Sequence, residues 1–200
     1  MTYLLRTCLL AVLLFPISKA EAFTSPLGIS LIPPVQFPTS EFAVTGLRVS
    51  AIYGHHRDFY GVDIGGFGNI TDQDFVGIGI SGLFNNTRGA TTIFPLQLAG
   101  GVNYNTGKTS VTGFQVAGGI NYNETSSKVI GFQIAGLANV AKNTKIYGFQ
   151  IGFYNKALKV NGFQIGIINM AKDVNGLQIG LINFHNNGVF AVSPIINFGF

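Results

Sequence analysis

One phrase recurs down this chain: Gly, an apolar residue, Gln, Ile, Gly, two apolar residues, Asn. A chain that repeats one short phrase must fold by stacking or pairing copies of one unit. Copies begin at Gly46, Gly61, Gly77, Pro95, Gly113, Gly131, Gly148, Gly162 and Gly176, with a degenerate tenth near residue 190. The spacing drifts from 15 to 18 residues and settles at 14. No intervening segment carries a helical 3.6-residue pattern or a long linker, so the array takes up residues 41–200. Residues 23–40, with Pro26, Pro33, Pro34 and Pro38, read as an extended, proline-rich lead-in.

Residues 1–22 read as a secretory signal peptide. Arg6 precedes the apolar run "CLLAVLLFPI", and Ala20, Glu21 and Ala22 supply the small residues of a cleavage site. The run is too short for a membrane-spanning helix, which needs about 20 residues. Cys8, the only cysteine, lies inside it, so the exported chain has no thiol for disulfide, metal or nucleophile chemistry. Removing this segment leaves ten basic and seven acidic residues, too few and too scattered for nucleic-acid binding. A positive mean hydropathy of +0.39 with only 10% charged residues suits a chain whose outer surface does not face water.

Within each unit apolar residues alternate with small or polar ones, the signature of β-strands. One face takes residues such as Phe163, Ile165 and Ile167; the other takes Gly, Ala and a polar belt of Arg48, Asp63, Gln97, Gln115, Gln133, Gln150, Gln164 and Gln178, with Gly79 in the third unit's slot. Short polar turns such as "GHHRD", "ITDQD" and "NTRGA" separate ten strands, running from about 42–53 to 188–200. Each is roughly 10 to 13 residues long, and a tilted strand needs about 9 to 11 to cross a bilayer. The pattern therefore predicts an all-β fold: an antiparallel up-and-down transmembrane β-barrel of about ten strands built from 14–18-residue repeats, apolar face toward lipid and polar belt toward the lumen.

Two resemblances bear on this reading. The final strand "VFAVSPIINFGF" resembles the C-terminal signal of bacterial outer-membrane barrels, which implies that Phe198 and Phe200 are read by the outer-membrane assembly machinery. Residues 31–200, from "LIPPVQFP" through "VTGLRVSAIYG" to the Gly-Phe-Gln-Ile-Gly units, look like a family of bacterial surface-repeat proteins. That family carries no established activity, so the likeness implies a cell-surface location in a Gram-negative envelope and little more. The early units depart from the family phrase, with Arg48, Asp63 and Gly79 where Gln is expected.

A rival architecture fits the same residues. Gln164, Gly166, Asn169 and Ala171 are similar to the Gln-x-Gly-x-x-Asn-x-Ala phrase of curlin-type amyloid subunits, in which β-solenoid stacking lines identical amides into ladders. A solenoid explains the recurring Gln and Asn better than a barrel does, but it leaves many Phe and Ile facing water. Function divides along the same line. The barrel implies an outer-membrane surface protein with a structural, adhesive or weakly pore-forming role and membrane lipid as a partner; the solenoid implies a secreted, self-associating subunit of an extracellular fibre or matrix.

No catalytic site is expected. There is no nucleophile elbow, phosphate loop or inward carboxylate pair, and no cofactor motif. His55, His56 and Asp58 in one turn and Asp72 and Asp74 in the next are the only clusters of metal-ligand type, and a barrel would put these turns at opposite ends. No metal site is predicted from them.

Overall fold

The structure is a computed structural model that describes residues 23–200; the expected signal peptide, residues 1–22, lies outside the described residues. The chain is all-β, and it is a parallel β-solenoid of about ten coils, which corrects the expectation of an antiparallel barrel. The first coils each contribute a longer and a shorter strand: β3 (Ala43–Ser50) and β4 (Tyr53–His56), β5 (Asp58–Gly65) and β6 (Gly68–Thr71), β7 (Phe75–Ser81) and β8 (Phe84–Thr87), β9 (Thr91–Ala99) and β10 (Val102–Asn105). After β11 (Thr109–Ala117), the short strand of one coil runs on into the long strand of the next. This produces β12 (Ile120–Ala135), β13 (Ala138–Ile151), β14 (Tyr154–Ile165) and β15 (Ile168–His185).

Register explains the choice of parallel stacking. Gly113 pairs with Gly131, Phe114 with Phe132 and Gln115 with Gln133, and the same identities continue through Gly148, Phe149 and Gln150 to Gly162, Phe163 and Gln164. Repeats laid down in one direction bring each residue onto its own copy, so identical side chains stack along the axis. Antiparallel neighbours would reverse the order of every second phrase and match start with end.

The corner inside each phrase is what the barrel reading missed. Gln164 and Asn169, five apart, both point inward, and an unbroken strand would place residues an odd number apart on opposite faces. Ile167 and Ile168 both face outward between them, at the bend between β14 and β15. Each unit is thus a long strand, a corner and a short strand, not one membrane-crossing strand.

The two ends break the parallel rule. Upstream, the proline-rich segment forms β1 (Thr24–Ile32), which pairs in parallel with β3, followed by β2 (Val35–Phe37), which turns back antiparallel on β1. Downstream, β16 (Val192–Gly199) runs antiparallel along β15. Between them an aliphatic ladder of Ile93, Val111, Val129, Ile146, Val160 and Val174 fills one side of the interior, and Val44, Phe59 and Phe75 form a separate cluster in the N-terminal coils, in register with Thr91.

Backbones of neighbouring coils come closest at one glycine column. Gly162 has φ +135, a region that residues with a Cβ rarely enter, and a Cβ there would run into the carbonyl oxygen of Gly148. Gly162→Ala should destabilise the fold by more than about 1 kcal/mol, seen as a lower urea midpoint. An unchanged midpoint would mean that the coils can move apart freely at this column.

Candidate functional site

The eight residues expected to line a lumen, Arg48, Asp63, Gln97, Gln115, Gln133, Gln150, Gln164 and Gln178, are all at most 1% exposed. They point inward as a polar belt, but the coil they point into is filled by side chains and is not a water-lined barrel. Each Gln from the fifth coil on donates its Nε2–H to Oε1 of the Gln before it: Gln115 to Gln97 at 2.9 Å, Gln133 to Gln115 and Gln150 to Gln133 at 2.8 Å, Gln164 to Gln150 and Gln178 to Gln164 at 2.7 Å.

A second ladder, formed by the recurring Asn, has no place in the barrel's polar belt and is what the solenoid alternative expects. Asn69, Asn85, Asn103, Asn121, Asn139, Asn155, Asn169 and Asn183 are buried, and each of the first seven donates Nδ2–H to Oδ1 of the next at 2.8 to 3.0 Å, while Asn183 donates to the Gly180 and Ser193 carbonyls. The other amide hydrogen reaches a main-chain carbonyl in the following coil, as from Asn121 to Ile134 and from Asn169 to Ile179. The Asn ladder donates toward the C-terminal end and the Gln ladder toward the N-terminal end, so their amide dipoles oppose one another. The signal was present in the recurring terminal Asn of the phrase, and only the corner makes it point inward.

At the N-terminal coils charge replaces the amides. Arg48 and Asp63, in register on β3 and β5, form a bidentate pair, Nε to Oδ1 at 2.7 Å and Nη2 to Oδ2 at 2.6 Å, both wholly buried. The guanidinium also donates to the Ile70 carbonyl, meets Nδ1 of His56 at 3.1 Å and lies 4.9 Å from the centre of the Phe59 ring. Because Arg48 has only donors, His56 Nδ1 must accept, and Nε2–H then donates to the Pro38 carbonyl at 3.1 Å. Burial, followed by the Arg48 charge, lowers the His56 pKa to about 4, against a smaller opposing pull from the Pro38 carbonyl. Burial pushes the Asp63 carboxyl above its ordinary range, and the paired guanidinium draws it back. These groups have no exposed face for a substrate, and their geometry ties three coils together.

The two polar turns predicted to lie at opposite ends are neighbours instead, because every coil brings its turn to the same edge. His55 Nε2 lies 2.6 Å from Asp72 Oδ2, and Asp72 also pairs with Arg88. No group of three or more metal-ligating side chains occurs among the described residues. Phe198 and Phe200, the expected assembly signal, sit on or just beyond β16 with large exposed surfaces, 55% and fully exposed respectively. The barrel that such a signal would serve is replaced by a strand folded back on the last coil.

The apolar face points outward, with Ile195 of β16 reaching its C-terminal end. Phe114, Phe132, Phe149 and Phe163 stack with ring centres 5.0 Å apart, beside the column of Val116, Ile134, Ile151 and Ile165. Leu137, Phe153, Ile167 and Leu181 project from the corner, and an apolar groove of about 500 Å³ runs between the Ile and corner columns, past Gly152, Gly166 and Gly180. Compared with protein-family models, with curated proteins and with solved structures, the chain matches none.

Two measurements check this geometry. Gln150→Ala leaves Gln133 Oε1 without a donor and Gln164 Nε2 without its nearest acceptor, and each orphaned buried group costs about 1 to 3 kcal/mol. The variant should therefore lose about 2 to 6 kcal/mol in urea denaturation; a loss under about 1 kcal/mol would show that water can replace the amide. The second concerns acid. A His whose folded pKa is depressed contributes stability above its unfolded value near 6.5 and loses it as pH falls toward 4. Melting temperature should fall across that window, and His56→Gln should flatten the fall. Asp63, with its raised pKa, acts in the opposite sense, so a profile unchanged by His56→Gln would assign the acid response elsewhere.

Proposed function

We propose that this chain is an exported, non-catalytic β-solenoid that self-associates to build an extracellular fibre or matrix at the cell surface. The observation that carries the reading is the outer wall: stacked Phe, flanking Ile and Val, and corner residues as exposed as Phe153 at 59% and Leu181 at 67%. Monomeric soluble proteins rarely leave contiguous apolar patches larger than a few hundred Å² uncovered. A regular wall of aligned columns can be covered by another like it, since two sheet faces interdigitate at a spacing of about 10 Å.

Three further features support the reading. The likeness to curlin-type phrases falls on the residues that form the two amide ladders. Residues 1–22 have the make-up of an export signal, and the surface-repeat resemblance agrees with a place outside the cell. The buried charges are committed to holding coils together, which leaves the repeat wall as the working surface.

Self-association is read by sedimentation velocity and thioflavin fluorescence of purified protein in buffer. The wild type should form large, thioflavin-positive assemblies. Phe132→Lys with Phe163→Lys should keep the strand signature in circular dichroism and remain monomeric, since each contact between walls would then bury unpaired charge. A wild-type protein that stays monomeric and thioflavin-negative at its solubility limit would overturn the proposal.

A further inference from the structure

Charge along the chain is sharply divided. Residues 23–100 carry three arginines against five carboxylates, whereas residues 101–200 carry seven lysines against Glu124 and Asp173. Parallel register sets several of these lysines in a row: Lys128 pairs with Lys145 and Lys145 with Lys159, on the margin of the apolar wall, with Ser110 before them and Asp173 after. Neighbouring strands lie about 4.8 Å apart, and like charges directly opposite one another are destabilising. None of the ion pairs among the described residues includes a lysine.

Beside this row lies a groove of about 550 Å³. Lys108, Lys128 and Lys145 supply its charge, and Thr92, Ser110 and Ser126 are the accessible hydroxyls along it; no carboxylate lines it, and Glu124 stands two residues outside. We infer that this groove binds a linear acidic polysaccharide, with its carboxylate or sulfate groups on the lysines and its hydroxyls on the Ser and Thr side chains. Such a ligand relieves the repulsion that the row builds into the free protein. The groove crosses successive coils along the solenoid axis, so an extended chain meets a new rung at each step.

Nucleic acid fits less well. Phosphates on one duplex strand recur about every 3.4 Å on a helical path, unlike a straight row at the rung spacing. Sequence-tolerant single-strand binding also needs free aromatic faces for base stacking. The aromatic ring beside the row, Tyr147, is covered by the Lys128 ammonium at 5.3 Å from its centre.

The test uses the full exported chain and fluorescently labelled heparin, polygalacturonate, neutral dextran and oligo-dT, by polarisation at low and raised salt. Heparin or polygalacturonate should bind and weaken as salt rises, while dextran should not bind; heparin alone would mark a sulfate site, and both would mark a general anion site. Lys128→Gln with Lys145→Gln should weaken binding about tenfold or more, whereas Lys156→Gln with Lys172→Gln, which removes equal charge elsewhere, should cost less than about threefold. Equal losses in the two variants would reduce the effect to net charge and overturn the site. Absence of polysaccharide binding, or tighter binding of oligo-dT, would also overturn it. Sedimentation of the Lys128→Gln, Lys145→Gln variant keeps the result separate from self-association, because its apolar wall is intact.

Discussion

A buried primary amide has two hydrogens to donate and an oxygen to satisfy, and in this interior the matching partner is another copy of the same amide one coil away. That requirement fixes the rest. It forces identical residues into register, register forces parallel stacking, and parallel stacking gives every coil the same path. An aliphatic core tolerates small shifts of register, because burial is roughly proportional to area and has no direction. The Gln and Asn ladders do not: sliding one coil by one residue would strand several amides at once, each at about 1 to 3 kcal/mol. Val129, Ile146 and Val160 supply much of the attraction between coils, and the amides specify which arrangement it stabilises.

Much of this was legible in the sequence. The repeat, the all-β class and the division of each unit into an apolar side and a Gln-bearing side came from the phrase itself, and Gln133 or Gln164 could be placed inward by alternation alone. The solenoid alternative had corners in each 14-residue unit, but the barrel reading had none, because residues 162–169 read as a single alternating strand if Asn169 is allowed to face outward. The odd spacing from Gln164 to Asn169 held the contrary information: two amides that both need buried partners cannot share an unbroken strand. Once the strand is taken as unbroken, its length suits a bilayer, and the exposed Phe and Ile demand lipid. The same step misplaced the His55 and Asp72 turns, which stack on one edge in a solenoid.

The N-terminal coils were harder to read, for a physical reason. Here Arg48, Asp63 and Gly79 interrupt the amide slot; the equivalent inward slots of Arg48 and Asp63 already imply that the two charges pair, but local periodicity cannot say what surrounds them. The structure replaces the ladder rung with a bidentate ion pair, a neutral histidine and a stacked Phe59–Phe75 pair 5.6 Å apart. A buried ion pair is a poor source of net stability, but removing one member leaves the other unpaired and strongly destabilises. It therefore acts as a specificity device at the place where the ladders stop. Gly79 fits the same account: the slot it leaves open is faced by the Phe75 ring, which takes up the space a Gln would need.

The ends also limit how copies of this chain can meet. Axial growth by ladder extension needs a parallel strand in register, yet the described solenoid is closed by antiparallel strands, β2 at one end and β16 at the other. Near the first end the Gln36 side chain imitates a strand, donating to the His55 carbonyl at 2.6 Å and accepting from the His55 N–H at 3.2 Å, which occupies backbone groups that an incoming coil would use. At the other end Asn197 is buried on β16 opposite Gln178, and Gln178 Oε1 is enclosed without the donor that another coil would bring. The edges that could propagate a ladder are thus covered, while the Phe and Ile wall is not. The self-association proposed above would therefore run sideways, wall against wall, with the amide ladders as an internal device that holds the coils of each wall in register.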